Sequence, residues 1–486
     1  MAIYGQGAGR SVRRQSAGVR VIVFLLPAWL AGCNLAPEHV RPALPVPESF
    51  VAAAPGSAAR IGWRDFFRDE TLRSLIDEAL TGNRDLRVAA ARVEEARAAF
   101  RIQGAALYPE LAGTATGTRA RVPADLSVTG TPVVGNEIYA RLTAGWEIDF
   151  WGRLRNLREA ARAQYLATEE ARRAVATSLV TQVTVGYLLE REYGERIALA
   201  ERTIGTREDA LRILRRRYEV GSGSKLEVTQ AQTLLAQART ALQALEQDRE
   251  VNRNALALLI GKPVVVAPAP LGLAGVEADA ALPAGLPADL LTNRPDIVAA
   301  EHALRAANAN IGAARAAFFP NVSLTGGFGT ASAELDGLFE GGSRSWSFTP
   351  TISLPIFTGG GNAANLDLAE ARKTIAVAQY EKTVQAAFRD VSDALVQRRR
   401  LAEQIESMQA MLDALTERAR LAQLRFDSGR STYLEVLDAQ RDLFETGQTL
   451  VRLRGAYLAS GAALYAALGG GIADSAAPQF SEEQLE

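Results

Sequence analysis

The chain holds a single cysteine, Cys33, and two histidines, His39 and His302, in 486 residues. A lone cysteine excludes an internal disulfide, and two distant histidines leave no cluster for a transition metal. No nucleophile-and-base pairing can be assembled from so few candidates, so the sequence predicts no catalytic residue, no metal site and no enzyme. Charge of one sign is missing too: the formal net charge is −1, which gives no basic excess for nucleic acid. The longest apolar stretch at the start, residues 21–30, falls well short of the ~20 residues a transmembrane helix needs. Any further membrane contact therefore falls to strands. Proline is absent from 154–217 and from 363–426.

Those two proline-free runs, rich in Ala, Leu, Arg, Glu and Gln, read as helices that would each rise roughly 90 Å. Helices of that length are coiled-coil material. They belong to a unit written twice. Asn83-Arg84-Asp85-Leu86 opens a helical run ending at Tyr108-Pro109, and Asn293-Arg294-Pro295-Asp296 opens another ending at Phe319-Pro320. Tyr218-Glu219-Val220-Gly221 with Leu226-Glu227-Val228 recurs as Phe426-Asp427-Ser428-Gly429 with Leu434-Glu435-Val436, at a constant offset of 208 positions. The same offset carries Gly261 onto Gly469, each closing a helix. Each unit reads helix, strand, strand, very long helix, turn, long helix.

The strands alternate strictly. Trp346, Phe348, Ile352, Leu354 and Ile356 share one face, with Ser345, Ser347, Thr349, Thr351 and Ser353 on the other. In the first unit Ala140, Leu142, Ala144, Trp146, Ile148 and Phe150 alternate with Arg141, Thr143, Glu147 and Asp149. A period of two over about ten residues marks a strand with lipid outside and water inside, which assigns Arg141, Glu147 and Asp149 to a barrel lumen. The preceding strands, 109–118 and 320–330, alternate less clearly. Four strands cannot close a barrel, since the smallest bacterial ones use about eight, and an open edge in lipid strands backbone groups. Closure must come from other copies: two give eight strands, three give twelve, and only the larger leaves a bore.

Arg10, Arg13, Arg14 and Arg20 before the apolar stretch have the layout of a signal peptide. The stretch ends Leu30-Ala31-Gly32-Cys33, which resembles the lipobox of bacterial lipoproteins. That resemblance implies a diacylglyceryl group on Cys33, and Asn34 after it implies sorting to the outer membrane. The expected organisation is a signal peptide over 1–32, an extended Pro-rich segment over 33–62, a first repeat over 63–262, a Pro/Ala-rich linker over 263–286, a second repeat over 287–469 and a mobile tail over 470–486.

With Pro37-Glu38-His39-Val40-Arg41-Pro42, Asn293-Arg294-Pro295-Asp296 and Tyr433-Leu434-Glu435-Val436-Leu437-Asp438-Ala439-Gln440, the chain resembles the lipoprotein branch of the TolC-like outer-membrane efflux family. The resemblance covers nearly the whole mature chain. It implies a mainly α protomer with a membrane β-barrel: a homotrimer closing a 12-stranded barrel continued by an α-helical coiled-coil tunnel. It also implies a periplasmic adaptor and an inner-membrane transporter as partners, with the protein as the passive exit duct of a tripartite pump, and no cofactor beyond the covalent lipid on Cys33.

In the family, acids matching Glu435 and Asp438 line the constricted periplasmic end. The alternative is a pair of solvated helix charges bound to Arg430 or Arg441. The first unit has Glu227 and Gln230 at the corresponding positions. Family members tie the gate through a tyrosine hydroxyl at the position of Phe426, which has none. Gly221 and Gly429 are expected to reverse the chain in a left-handed conformation. Leu226, Tyr433 and Leu434 beside them are the candidate adaptor contacts. Two other readings stay open: the channel of a type I protein-secretion system, and a pore-less periplasmic adaptor lipoprotein.

Overall fold

The structure of the protein, a computed structural model, describes residues 34–43, 46–47, 62–266, 272–275 and 291–470. The leader over 1–32, the acceptor Cys33, most of the linker and all but the first residue of the tail lie outside the described residues.

In chain order, helices α1 (Trp63–Phe66), α2 (Glu70–Gly82) and α3 (Arg84–Ala105) lead into strands β1 (Glu110–Val122) and β2 (Val133–Ile148). Helices α4 (Arg153–Glu219) and α5 (Lys225–Ile260) follow. A second round runs α6 (Pro295–Ala316), β3 (Asn321–Ser332), β4 (Arg344–Ser353), α7 (Gly361–Asp427) and α8 (Tyr433–Ala467). Helices α4 and α7 are both 67 residues long, so the duplication extends to the length of its largest element. The chain forms two compact units. One comprises 96–165 and 303–376 with the N-terminal segment; the other comprises 42–95, 166–302 and 377–486.

The first unit carries the sheet, whose four strands are antiparallel in the order β1-β2-β3-β4. β2 and β3 come from different repeats, yet pair continuously from Ile138 opposite Ser332 to Ile148 opposite Val322. The register gathers Leu111, Leu142, Trp146, Phe328, Trp346 and Phe348 on one face. Thr114, Arg141, Thr143, Thr325, Ser347 and Thr349 occupy the other. Leu142 is 62 % exposed, Phe328 63 % and Trp346 79 %, an apolar surface that a water-soluble protein would cover.

The outer edges of β1 and β4 are unpaired within the protomer. Strand β4 stops at Ser353, short of the expected Ile356, because Pro355 has no N–H to donate to a ladder. Strands β1 and β2 run further toward their hairpin loop than alternation alone indicates, since glycine and threonine in β1 blur the pattern.

The second unit is helical. Asp69 starts α2 by accepting the Leu72 amide at 3.0 Å. Leu72, Leu75, Ile76 and Ala79, spaced to share one helix face, then bury against Trp63, Phe66, Phe67, Val183, Tyr187 and Tyr465. Each such large apolar side chain contributes roughly 1.5–3 kcal/mol by leaving water. Asn83 joins α2 to α3: its Oδ1 accepts the Leu86 amide at 2.8 Å while its Nδ2 donates to the Leu259 carbonyl at 2.8 Å. Beside it, Gly82 and Gly261 approach backbone to backbone so closely that a Cβ on either would collide with the other segment's carbonyl. Helix α3 starts at Arg84, where the Asn83-Arg84-Asp85-Leu86 opening put it, and Thr81 belongs to the last turn of α2.

Candidate functional site

The two helical hairpins end in turns of one design. After α4, Gly221 takes φ +76° and the Ser222 amide donates back to the Arg217 carbonyl at 2.8 Å. After α7, Gly429 takes φ +69° and the Arg430 amide donates to the Arg425 carbonyl at 2.8 Å. Such closures satisfy the last free carbonyls of a helix and need a left-handed residue, which glycine supplies without steric cost.

The return helices start differently. Ser224 caps α5 and forms a reciprocal box: its Oγ accepts the Leu226 amide at 3.1 Å, and Glu227 accepts the Ser224 amide at 3.2 Å. Thr432 precedes α8 with no side-chain cap bond. Glu435, the counterpart of Glu227, reaches instead to Arg425 on α7 at 3.6 Å. Asp438, one turn on, lies 3.4 Å from Arg441. The Glu435 and Asp438 side chains are 47 % and 42 % exposed, so the second hairpin presents two accessible carboxylates where the first locks its one acid into a cap. Pairs this exposed are weak, because water screens both charges and two long side chains must be held in one geometry. The partner of Glu435 is Arg425 rather than Arg430; the matching Arg217 in the first repeat was the available signal, since both stand at one place in the repeat.

Beneath the turns, Tyr433 is 4 % exposed and packs edge-on against Phe426 with centroids 4.8 Å apart. Burial, together with the nearby Asp427 carboxylate, pushes its phenol up to about 12. The expectation that Tyr433 is an exposed contact is therefore corrected: it belongs to the core with Leu214, Val228, Val436 and Leu437. Leu226 and Leu434, 64 % and 44 % exposed, do face solvent. Phe426, which lacks the hydroxyl, receives the Arg217 guanidinium 4.9 Å from its ring centroid, so a cation–π contact links the two hairpins there. A groove of about 830 Å³ along α4 and α5 is lined by Ile213 and by Arg212, Arg215 and Arg216, residues the sequence reading passed over.

On the sheet, Arg141 stands on the polar face with its guanidinium 5.2 Å from the Tyr139 ring, and Tyr139 donates to Glu137. Glu147, near the end of β2, holds Arg153 through two contacts of 3.0 and 2.8 Å. Asp149 lies just past the strand's last residue and accepts the Arg155 amide at 2.9 Å, pinning the first turn of α4. Its expected place in the strand alternation is corrected by that capping role. No helix among the described residues is long and apolar enough to cross a membrane, and no group of potential metal ligands is found among them.

The outer membrane efflux protein family matches twice, over residues 75–262 and 286–470, one match for each structural round. The chain belongs to that family. It is 44 % identical over 453 residues to the solvent efflux pump outer membrane protein SrpC of Pseudomonas putida, covering 91 % of this chain and 96 % of that one. To the cation efflux system protein CusC of Escherichia coli O6:H1 it is 42 % identical, covering 93 % and 98 %. The crystal structure of the Neisseria gonorrhoeae MtrE outer membrane channel, described as its open state, superposes with a TM-score of 0.82 at 38 % identity, covering 90 % and 98 %. This efflux protein is thus an outer-membrane channel component rather than an enzyme, and the paired apolar and polar sheet faces are its membrane-spanning part.

Proposed function

We propose that three copies of this chain close a 12-stranded barrel through their free β1 and β4 edges and form the passive exit duct of a tripartite pump. One observation carries this reading: a sheet apolar on one face and polar on the other, with both edges unpaired. In lipid each unpaired backbone group costs several kcal/mol, so closure with other copies follows. Twelve strands leave a water-filled bore, whereas eight would be filled by side chains.

In this reading Glu435 and Asp438 line the gate, three of each around the axis, and their pairs with Arg425 and Arg441 are contacts of the closed tip. Leu226 and Leu434, with the arginine-lined groove on α4 and α5, offer the surface for a periplasmic adaptor that joins the duct to an inner-membrane transporter. Cys33 carries the lipid that anchors the chain. The cargo is a small toxic compound rather than a polypeptide, a choice supported by the solvents and cations named for relatives of comparable identity.

Planar-bilayer recording on the purified protein tests the whole reading. Discrete, cation-selective conductance from particles of trimer mass is expected. Replacing both Glu435 and Asp438 by alanine should reduce the cation preference, measured as a smaller reversal potential in a salt gradient. Unchanged selectivity would remove these acids from the constriction, and trimers silent at every pH and voltage would remove the pore.

A further inference from the structure

Three charged side chains stand on the apolar face of the sheet, and all three are arginines at one end of it. Residues paired across the ladders share a face. Arg119 and Arg121 lie opposite Asn136 and Val134, in line with Leu111, Leu142 and Trp146. Arg344 lies opposite Thr330, in line with Phe328 and Trp346. The acids of the sheet, Glu110, Glu137 and Glu147, belong to the polar face. All three arginines are exposed, and none has an ion pair or hydrogen bond among the described residues.

Their position along the strands is as specific as their face. Every α-helix adjoining the sheet attaches at the Glu110, Ile148, Asn321 and Ser353 ends, and only a single 3-10 turn, Asp336–Phe339, stands in a hairpin loop, which leaves the arginines at the end away from the periplasm. On β2 the apolar run from Ile148 to Ile138 spans about 34 Å of strand, or about 25 Å of membrane once tilted, which is the height of the apolar band of such barrels. Arg119 and Arg121 begin just beyond it, one pleat repeat or about 7 Å apart. Within the band a cation on the lipid side costs roughly 2–4 kcal/mol, and that cost fades toward the interface.

We propose that Arg119 and Arg121 form a binding site for the phosphate groups of phosphoglycolipid in the outer leaflet. The guanidinium forks hold phosphate oxygens while the acyl chains lie along Leu142, Phe328 and Trp346. A planar fork suits phosphate bidentately, and charge complementarity commits the site to an anionic headgroup rather than to a protein. The inference rests on the barrel reading, because only a membrane-embedded sheet brings these side chains to lipid.

The test uses the full-length protein in phosphatidylcholine nanodiscs, with native mass spectrometry counting added bis-phosphorylated lipid A. Retention by the native protein is expected, with none of dephosphorylated lipid A and no displacement by inorganic phosphate. Arg119→Gln/Arg121→Gln should lower retention about tenfold, whereas Arg344→Gln, three strands away on β4, should not. Arg119→Lys/Arg121→Lys, which keeps the charge but loses the fork, should restore only part of it, and Arg141→Gln on the polar face should leave it unchanged. Equal retention by the double glutamine variant, full displacement by inorganic phosphate, or an equal loss in Arg141→Gln or Arg344→Gln overturns the site. Conductance is recorded on the same samples. Native protein that conducts but retains no lipid A overturns this proposal alone, whereas protein that neither inserts nor conducts overturns the barrel reading and the site with it.

Discussion

Tyr433 and Leu226 were both candidates for a contact surface at the hairpin tips, and their environments assign them opposite consequences. Tyr433 fills the space under the second turn, so Tyr433→Ala should cost about 3–5 kcal/mol locally, the range for a buried aromatic truncated to alanine. Limited proteolysis should then cut between Phe426 and Tyr433 well before it cuts the native chain. Leu226→Ala should leave cleavage unchanged and act only on association with an adaptor. Outside the described residues, Cys33→Ser should abolish palmitate incorporation in metabolic labelling while leaving the far-ultraviolet helical signal intact. Single residues were the scale at which the sequence was least legible. The acids at 435 and 438 could be singled out from spacing and resemblance, but not the partner of Glu435. Nor could the burial of Tyr433, since a helix start shows its exposed and covered sides only once a second hairpin lies against it.

The elements were far more legible. Long proline-free runs gave the ends of α4 and α7 to within a residue or two, and the glycines after them marked the turns. What spacing alone missed were the short helices α1 and α2, whose stability comes from tertiary packing around Trp63 and Phe66 rather than from their own length. The starts of the return helices give a sharp contrast. Ser224→Ala removes a reciprocal cap and should cost about 1 kcal/mol, seen as faster amide exchange over Leu226 to Val228. Thr432→Ala removes no cap bond and should leave exchange over the first turn of α8 as it was.

At the level of the whole molecule, two-residue alternation marked the membrane strands β2 and β4 sharply, whereas β1 and β3, read as strands over 109–118 and 320–330, showed their faces only once pairing supplied the register. The faces carry their own test. Phe348→Asp places a carboxylate on the apolar side of β4 and should prevent recovery of inserted oligomers, scored by gel mobility before and after heating. Ser347→Asp, one position away on the polar side, should assemble normally and shift ion selectivity. If both variants assembled equally well, the apolar face would not be in contact with lipid.

The seam between β2 and β3 has a consequence for ancestry. It joins two halves of one polypeptide by the same antiparallel pairing that a free edge offers to a neighbour. A half-length forerunner would have needed six identical subunits to make the same ring, each with the same tip and so the same fate for its acid. Two halves in one polypeptide can differ where six identical subunits could not: one tip holds its glutamate as a helix clasp, while the other leaves it outside the cap and carries a second carboxylate a turn away.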